Sequence, residues 1–418
     1  MRYGLIGEKL GHSFSKYNHE RLSDYTYDLI PLSLDEFHTF MKAKNFQAIN
    51  VTIPYKKAVL PYLDELDASA TSIGAVNTIV NQKGTLKGYN TDYYGFDYML
   101  KKHHVNLTNK KVIVLGNGGA SAAIQAVVQN YPIASMIVVN RTTKENVICY
   151  EDCIQYHNDA HILINTTPVG MYPNNDASPL DLDSFQDLEW VIDLIYNPLY
   201  TKLCVDAKKR NIRCIGGLEM LIAQAKYAVE HFKQISLNEE VIDEIYRDML
   251  KERVNIALIG MPSCGKSTIA QALSKHLSHQ VIEFDQEIIN QTQMSIPDIF
   301  KTQQEDGFRT IETQICKQYA KLNQKILSTG GGIIKRSENI DVLKQNSIIF
   351  YIDRDFEQLI YNDDNRPLSS SKDALLQMYQ ERLPLYQKYC DVQVMNHDSL
   401  DTVVDTILKA YEDVIHKM

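Results

Sequence analysis

Residues 257–268 read ALIGMPSCGKST, and few stretches leave a chain less freedom. Gly260, Gly265, Lys266 and Ser267 satisfy the spacing G-x-x-x-x-G-K-[ST], with an apolar run before them and the helical pattern STIAQALSKHL after. That order demands a strand buried in a parallel sheet, a turn whose amides face inward, and a helix that begins where the turn ends. Backbone N–H groups can then close on phosphate oxygens, while Lys266 neutralises the outer phosphates and Ser267 offers a hydroxyl to Mg²⁺. Ser263, Cys264, Gly265, Lys266, Ser267 and Thr268 are the expected cradle for a nucleotide phosphate chain. Yet the motif starts well past the middle of 418 residues, so most of the chain precedes it.

A chain of that length holds two or three domains. Short apolar runs alternate with helix-period segments, as in KVIVLG, GASAAIQAVVQN and MIVVNR, which read as repeated βαβ units around parallel sheets. A charged amphipathic helix from about Leu237 to Glu252 runs directly into the apolar stretch Val254 to Ile259. A strand that opens a phosphate loop normally opens its domain, so the spacing predicts a boundary near 252. The net charge of -9 and a pI near 5.8, with no run of like charges, do not favour a nucleic-acid surface. Seven scattered cysteines with no C-x-x-C pair predict reduced thiols; Cys149 and Cys153 are a metal hint without neighbouring partners. The start MRYGLIGEKLGHS lacks a basic leader, and no stretch reaches the roughly 18 apolar residues of a membrane span. The expectation is a cytoplasmic, unprocessed chain without a membrane partner.

Beyond the phosphate loop, VIEFDQEI carries Glu283 and Asp285 at alternate positions. On a strand they would share a face and could serve metal and hydroxyl respectively; equally, Asp285 could cap the next helix. Arg309 in GFRTIE, Arg366 in NRPL and Arg382 in ERLPLY add guanidinium forks suited to a carboxylate or a phosphoryl group, and STGGGII is a second glycine-rich turn. In this order and spacing, residues 254–418 resemble a shikimate kinase. The resemblance implies Asp285 at the acceptor diol as base or orienter, Arg309 and Arg382 on the shikimate carboxylate, and Gly331 on the substrate through its backbone. It also implies ATP with Mg²⁺ at Ser267 and Glu283, Lys266 among the catalytic groups, and Arg366 in a lid over ATP at about 354–370. Three positions depart from the family: Glu283 stands where Asp is usual, Gln304 where Gly is usual, and Leu359 where an earlier lid arginine is often found.

In the first half, KVIVLGNGGASAA places Gly116, Gly118, Gly119 and Ala120 after a strand, a dinucleotide fingerprint with Ser121 in place of its third glycine. The next strand ends not in an acid but in Asn140, Arg141 and Thr142, and a guanidinium there suits the 2′-phosphate of NADP. Four polar clusters follow apolar runs upstream: GHSFSKYNHE, NVTIPYKKAV, GAVNTIV and GYNTDYYGF. Within them Lys56 and Asp92 can form an acid/base pair for a carbonyl becoming an alcohol, although Lys56 alone reads equally as an exposed helix-start lysine. These clusters, with NTTPVGM, DLIYNP and GGLEMLIAQA, resemble shikimate dehydrogenase across residues 1 to about 250. That resemblance makes Lys56 and Asp92 the catalytic pair. It sets Ser13, Ser15, Thr52, Asn77, Tyr196 and Gln224 around shikimate, and Leu194 and Gly217 along the nicotinamide. Lys16 replaces the proline usual after the second serine, and the short stretch between Arg141 and HILINTT implies a clipped cofactor-domain helix.

The two resemblances imply an α/β chain of two enzymes. Residues 1–252 would combine a substrate subdomain (about 1–95 and 222–252) with a Rossmann-like NADP subdomain (about 96–221). Residues 253–418 would form a phosphate-loop kinase with a parallel sheet flanked by helices. The implied function is NADPH-dependent reduction of 3-dehydroshikimate to shikimate, followed by ATP-dependent phosphorylation of shikimate. Two alternatives stay open: a quinate/shikimate dehydrogenase joined to a kinase for another small polyol acid, and one half retired to a metabolite sensor. Whether the chain is a monomer or a homodimer is not legible.

Overall fold

The computed structural model describes residues 3–11, 14–359 and 371–418. Ser13, Arg366 and most of the expected lid lie outside them. The chain divides into two compact units, Met1–Tyr246 and Arg247–Met418. The division falls inside the helix Glu240–Lys251, a little before the expected boundary near 252. The reason lies in the ion pairs: Asp243 in the first half of that helix pairs with Lys102, whereas Lys251 in its last turn pairs with Glu412 at 2.6 Å.

The first unit contains two six-stranded sheets. In the first, Tyr27–Pro31, Tyr3–Gly7 and Ala48–Val51 run parallel, and Thr78–Gln82 and Thr85–Tyr89 extend the sheet as antiparallel neighbours. Alternation along the strands covers both faces. Ile6, Ile49 and Ile79 pack with Phe37 and Met41 of helix Leu34–Ala43, while Leu5, Ala48 and Val80 pack with Phe232 of helix Leu218–Lys233. The second sheet is wholly parallel, in the order Arg213–Ile215, Trp190–Asp193, Ile162–Asn165, Lys111–Leu115, Ser135–Val139, Val147–Ile148. Its chain order reverses between Lys111–Leu115 and Ile162–Asn165, the crevice where such sheets hold ligands. The short stretch after Arg141 forms only the strand Val147–Ile148 and the helix Tyr150–Tyr156.

One expectation about the thiols is overturned: Cys204 and Cys214 form a disulfide. Helix Lys202–Lys209 turns back at once into strand Arg213–Ile215, which brings the two Cα atoms to 5.7 Å. That is ordinary bridging range.

The second unit has one five-stranded parallel sheet, ordered Gln280–Glu283, Lys325–Ser328, Asn255–Ile259, Ser347–Asp353, Val392–Met395. The strand before the phosphate loop is central and buried throughout, and again lies where the strand order reverses. The helix Ile296–Tyr319 is broken at Gln304, whose φ of 59° and ψ of -172° belong to a region that glycine occupies without cost. Glutamine thus keeps the backbone that the family's usual glycine would adopt freely, and Glu305 and Arg309 follow directly on the bend. Among the described residues no helix is long and apolar enough to cross a membrane.

Candidate active sites

In the first unit a cavity of about 520 Å³ gathers residues from the first sheet and from the loops and helices that follow strands of the second. Ser15, Thr52, Lys56, Asn77, Asp92, Ala120, Leu194, Tyr196, Gly217 and Gln224 all line it. Lys56 Nζ donates to Asp92 Oδ2 at 2.6 Å, with the two side chains 20% and 15% exposed. Asp92 sits in the first turn of helix Thr91–Lys102. Asn77 fixes that start, because its Oδ1 accepts from the Thr91 amide (2.8 Å) and hydroxyl (3.2 Å) and from the Thr78 hydroxyl (2.9 Å). With Oδ1 so occupied, the amide nitrogen is the end Asn77 offers the cavity.

Two buried groups that sequence reasoning missed stand behind these residues. Asn50 donates to Asn77 O and Thr78 Oγ1 and accepts from the Tyr27 hydroxyl at 2.6 Å, so it holds the sheet end in register and also lines the cavity. Asp193 accepts from the Ile195 amide, from Asn165 Nδ2 and from the Thr201 hydroxyl, and burial pushes its carboxyl up to about 6. It pins the segment that carries Leu194 and Tyr196. Gly217 is required by close approach: a Cβ there would fall 2.0 Å from Leu194 O. Both residues were within quoted motifs, NVTIPYKKAV and DLIYNP; the signal was a polar residue inside or at the end of a buried strand.

Gly116, Gly118, Gly119, Asn140, Arg141 and Thr142 do not line this cavity. They cluster beside it at two adjacent strand ends, since Leu115 pairs with Val139 and the Gly116 amide donates to Val139 O at 2.7 Å. Gly118 and Gly119 have open space where a Cβ would project, at the start of helix Gly119–Gln129. Ser121, in the third-glycine position, is buried and donates to Gly116 O at 2.7 Å, which ties the turn to the helix. The turn and the unpaired amides of that helix start can receive a pyrophosphate.

In the second unit Lys266 Nζ donates to Gly260 O and Met261 O, each at 2.9 Å, so the ammonium is held within the loop it serves. Cys264 is buried in the loop, and its carbonyl accepts from Asn396 Nδ2 at 2.7 Å. Ser263 takes a φ of 62° and Gly265 a φ of 99° before helix Lys266–Leu277 begins; Thr268 is exposed in its first turn. Ser267 Oγ donates to Glu283 Oε2 at 2.9 Å, a hydroxyl and a carboxylate side by side, a donor set that suits a hard divalent cation. Glu283 and Asp285 do not share a strand face, which corrects that expectation. The strand stops at Glu283, and Asp285 lies in the first turn of helix Phe284–Thr292, where a carboxylate meets the positive end of the helix dipole.

Arg309 is buried, with Nη1 to Glu312 Oε2 at 2.7 Å and Nε and Nη2 to Glu305 Oε1 at 3.2 and 3.1 Å. Its guanidinium rests against the glycine turn, since a Cβ on Gly332 would lie 2.1 Å from Nη1. Next to it, a Cβ on Gly330 would lie 2.8 Å from Glu312 Oε1 and 3.2 Å from Asp285 Oδ1. Arg382 Nη1 donates to Gly331 O at 2.9 Å. The turn thus brings Asp285, Arg309, Gly331 and Arg382 together. Leu359 is buried after the turn Phe356–Gln358, and Arg366 lies outside the described residues.

Glu312, inside GFRTIE, was not singled out from the sequence. It is 1% exposed, its Oε1 has no partner, and burial pushes its carboxyl up to about 7 against the pull of Arg309. The folded state therefore keeps a proton that the unfolded chain releases above about 4.5. Stability contributed by this group is complete below that value and is lost as pH rises through about 7. Glu312→Gln should flatten a pH dependence on the order of 3 kcal/mol between those limits. Hydrogen exchange of helix Ile296–Tyr319 at several pH values reads it, and an unchanged slope in the variant would assign the dependence elsewhere.

Comparison with known proteins finds relatives for both units. The shikimate kinase family model matches residues 262–412, and the model of the shikimate dehydrogenase substrate binding domain matches residues 5–79. The chain is 37% identical over 259 residues to a shikimate dehydrogenase (NADP(+)) of Clostridium beijerinckii, which covers 58% of this chain and 96% of that protein. It is 38% identical over 256 residues to the enzyme of the same name from Methanosphaera stadtmanae, covering 55% and 90%. Among crystal structures, a chorismate mutase/shikimate 5-dehydrogenase fusion protein from Clostridium acetobutylicum superposes with a TM-score of 0.56 at 35% identity, over 59% of this chain and 96% of that one. A shikimate 5-dehydrogenase from Thermus thermophilus, solved with NADP(H) and shikimate, gives 0.53 at 28% identity, over 58% and 97%. The chain belongs to the shikimate dehydrogenase family and carries a shikimate kinase domain in the same polypeptide, an oxidoreductase fused to a kinase.

Proposed function

We propose that the first unit reduces 3-dehydroshikimate to shikimate with NADPH and that the second phosphorylates shikimate with MgATP. The observation that carries the reading is the Lys56–Asp92 pair, 2.6 Å apart in a cavity whose other lining groups are hydroxyls, amides, apolar groups and one further ammonium, Lys9. Bound NADPH would supply the hydride for the carbonyl carbon. Lys56 holds the proton that the carbonyl oxygen takes up, Asp92 orients the ammonium, and Ser15, Thr52, Asn77, Tyr196 and Gln224 bind the ring hydroxyls and carboxylate. Gly116, Gly118, Gly119 and Ala120 would hold the pyrophosphate, Asn140, Arg141 and Thr142 the adenosine 2′-phosphate, and Leu194 and Gly217 the nicotinamide.

In the second unit ATP supplies the phosphoryl group, and Ser267 with Glu283 would hold Mg²⁺. Lys266 faces the phosphate charge, Asp285 accepts the proton of the acceptor hydroxyl, and Arg309 and Arg382 orient the acceptor's carboxylate. The test is a single vessel with 3-dehydroshikimate, NADPH and MgATP, following NADPH loss and ADP formation separately. NADPH should be consumed without ATP, and ADP should appear only when NADPH is present or shikimate replaces 3-dehydroshikimate. ADP formation from 3-dehydroshikimate alone would sink the reading, and parallel runs with quinate and NADH test its specificity.

Cofactor choice should follow Arg141. A charge-assisted contact to the 2′-phosphate is worth roughly 1.5 to 3 kcal/mol, about one to two decades of affinity. Arg141→Ala should weaken NADPH by that much and leave NADH almost unchanged; equal losses for both would remove Arg141 from the phosphate site.

A further inference from the structure

We propose that Tyr386 is a positioning residue of the kinase site, whose hydroxyl holds the Gly331 carbonyl so that Arg382 can turn a guanidinium N–H to the acceptor's carboxylate. The inference rests on the reading of the second unit as a kinase for a carboxylate-bearing acceptor.

Arg382 and Tyr386 stand one turn apart on helix Lys372–Tyr389, and both donate to the same oxygen, Gly331 O. Both side chains are buried, Arg382 at 6% exposure and Tyr386 at 0%. The acceptor oxygen belongs to the turn that packs on the phosphate loop, because a Cβ on Gly331 would lie 2.8 Å from Pro262 Cδ. Gly331 is partly buried, and its carbonyl, covered by two buried side chains, is left short of a partner if both donors leave, so one at least must stay. With Arg382 alone, the guanidinium would be pinned to that duty. Two donors on the carbonyl's two lone pairs let one leave.

Only the arginine can go. The Tyr386 ring is stacked on Tyr351, with centroids 5.1 Å apart and planes 13° from parallel, and burial keeps its hydroxyl protonated as a donor. Arg382 carries five N–H groups in a planar fork, so it can keep its place against the turn and still present a second edge to a carboxylate.

Tyr386→Phe removes the hydroxyl and keeps the ring stack. The KM for shikimate should rise about fivefold to tenfold, while the KM for ATP and kcat stay within about twofold. In an Arg382→Ala background the same change should add nothing to the shikimate KM, because Tyr386 acts through Arg382. An unchanged shikimate KM in Tyr386→Phe, an equal rise in the ATP KM, or additive effects in the double variant would each overturn the proposal. A shikimate KM that Arg382→Ala leaves unmoved would strike the underlying reading of the acceptor site instead, and this proposal with it. ADP binding by calorimetry checks that each variant is folded. A test independent of folding uses the unsubstituted chain: shikimate alone should shift the guanidinium NMR resonances of Arg382, and resonances that stay in place would also overturn the proposal.

Discussion

Lys56→Ala should lower NADPH-dependent reduction by about 10²-fold or more, the usual range for a positioned acid/base group, and leave ADP formation from shikimate within about twofold of the unsubstituted chain. The effect should fall on kcat, because the ammonium is needed most when negative charge gathers on the carbonyl oxygen during hydride arrival. Binding of NADPH should scarcely change, since the cofactor residues that share the Lys56 cavity wall, Ala120, Leu194 and Gly217, make no hydrogen bond to Lys56, and the rest of the cofactor turn lies outside it. The fold should tolerate the loss. Asp92 is already 15% exposed beside its partner at 2.6 Å, so cavity water can solvate it once Lys56 is shortened, and no fully buried charge is left alone. A variant that loses both activities while still folded would overturn the two-site reading, because Lys56 and its partners Asp92 and the Val76 amide all lie in the first unit.

Lys266→Ala should do the reverse, with kinase turnover down by about 10²- to 10³-fold, the cost of removing one preorganised charge partner from a transition state. Its Nζ lies on Gly260 O and Met261 O at 2.9 Å each, so the variant loses both a phosphate partner and an internal tie of the loop. The loop retains another tie in Asn396, which donates to Cys264 O at 2.7 Å, and the variant should still fold. ADP should bind more weakly by calorimetry, and NADPH oxidation with 3-dehydroshikimate should continue unchanged. Normal ADP affinity with lost turnover would restrict Lys266 to the phosphoryl group in flight; normal turnover would remove it from the mechanism.

Much of this was legible because local rules and chemistry coincide. The glycine turns at 116–119 and 260–265 follow apolar strands and open helices, and each lies where its sheet reverses order. Arg141 and Lys266 are set by short-range spacing. Of the two readings left open for Glu283 and Asp285, the shared strand face fails and the helix start holds for Asp285, because strand and helix meet there without a loop, and alternation cannot say where a strand ends. Gln304 is the opposite case: a departure seen in the sequence became, in the structure, a left-handed backbone kept by a residue with no preference for it.

The sequence by itself determined two α/β units, their nucleotide turns and the residue types that can do the chemistry, because strand periodicity, glycine turns and charge are properties of neighbours along the chain. Tertiary structure alone decided which of them meet. Lys56 reaches Asp92 only because Asn77 fixes the helix that carries the carboxylate. Arg309, Glu312, Arg382 and Tyr386 converge on one glycine turn from two helices, and the disulfide Cys204–Cys214 closes where a helix folds back on a strand. Such contacts depend on burial, which removes water as a competing partner, and burial is set by the whole fold rather than by any stretch of sequence.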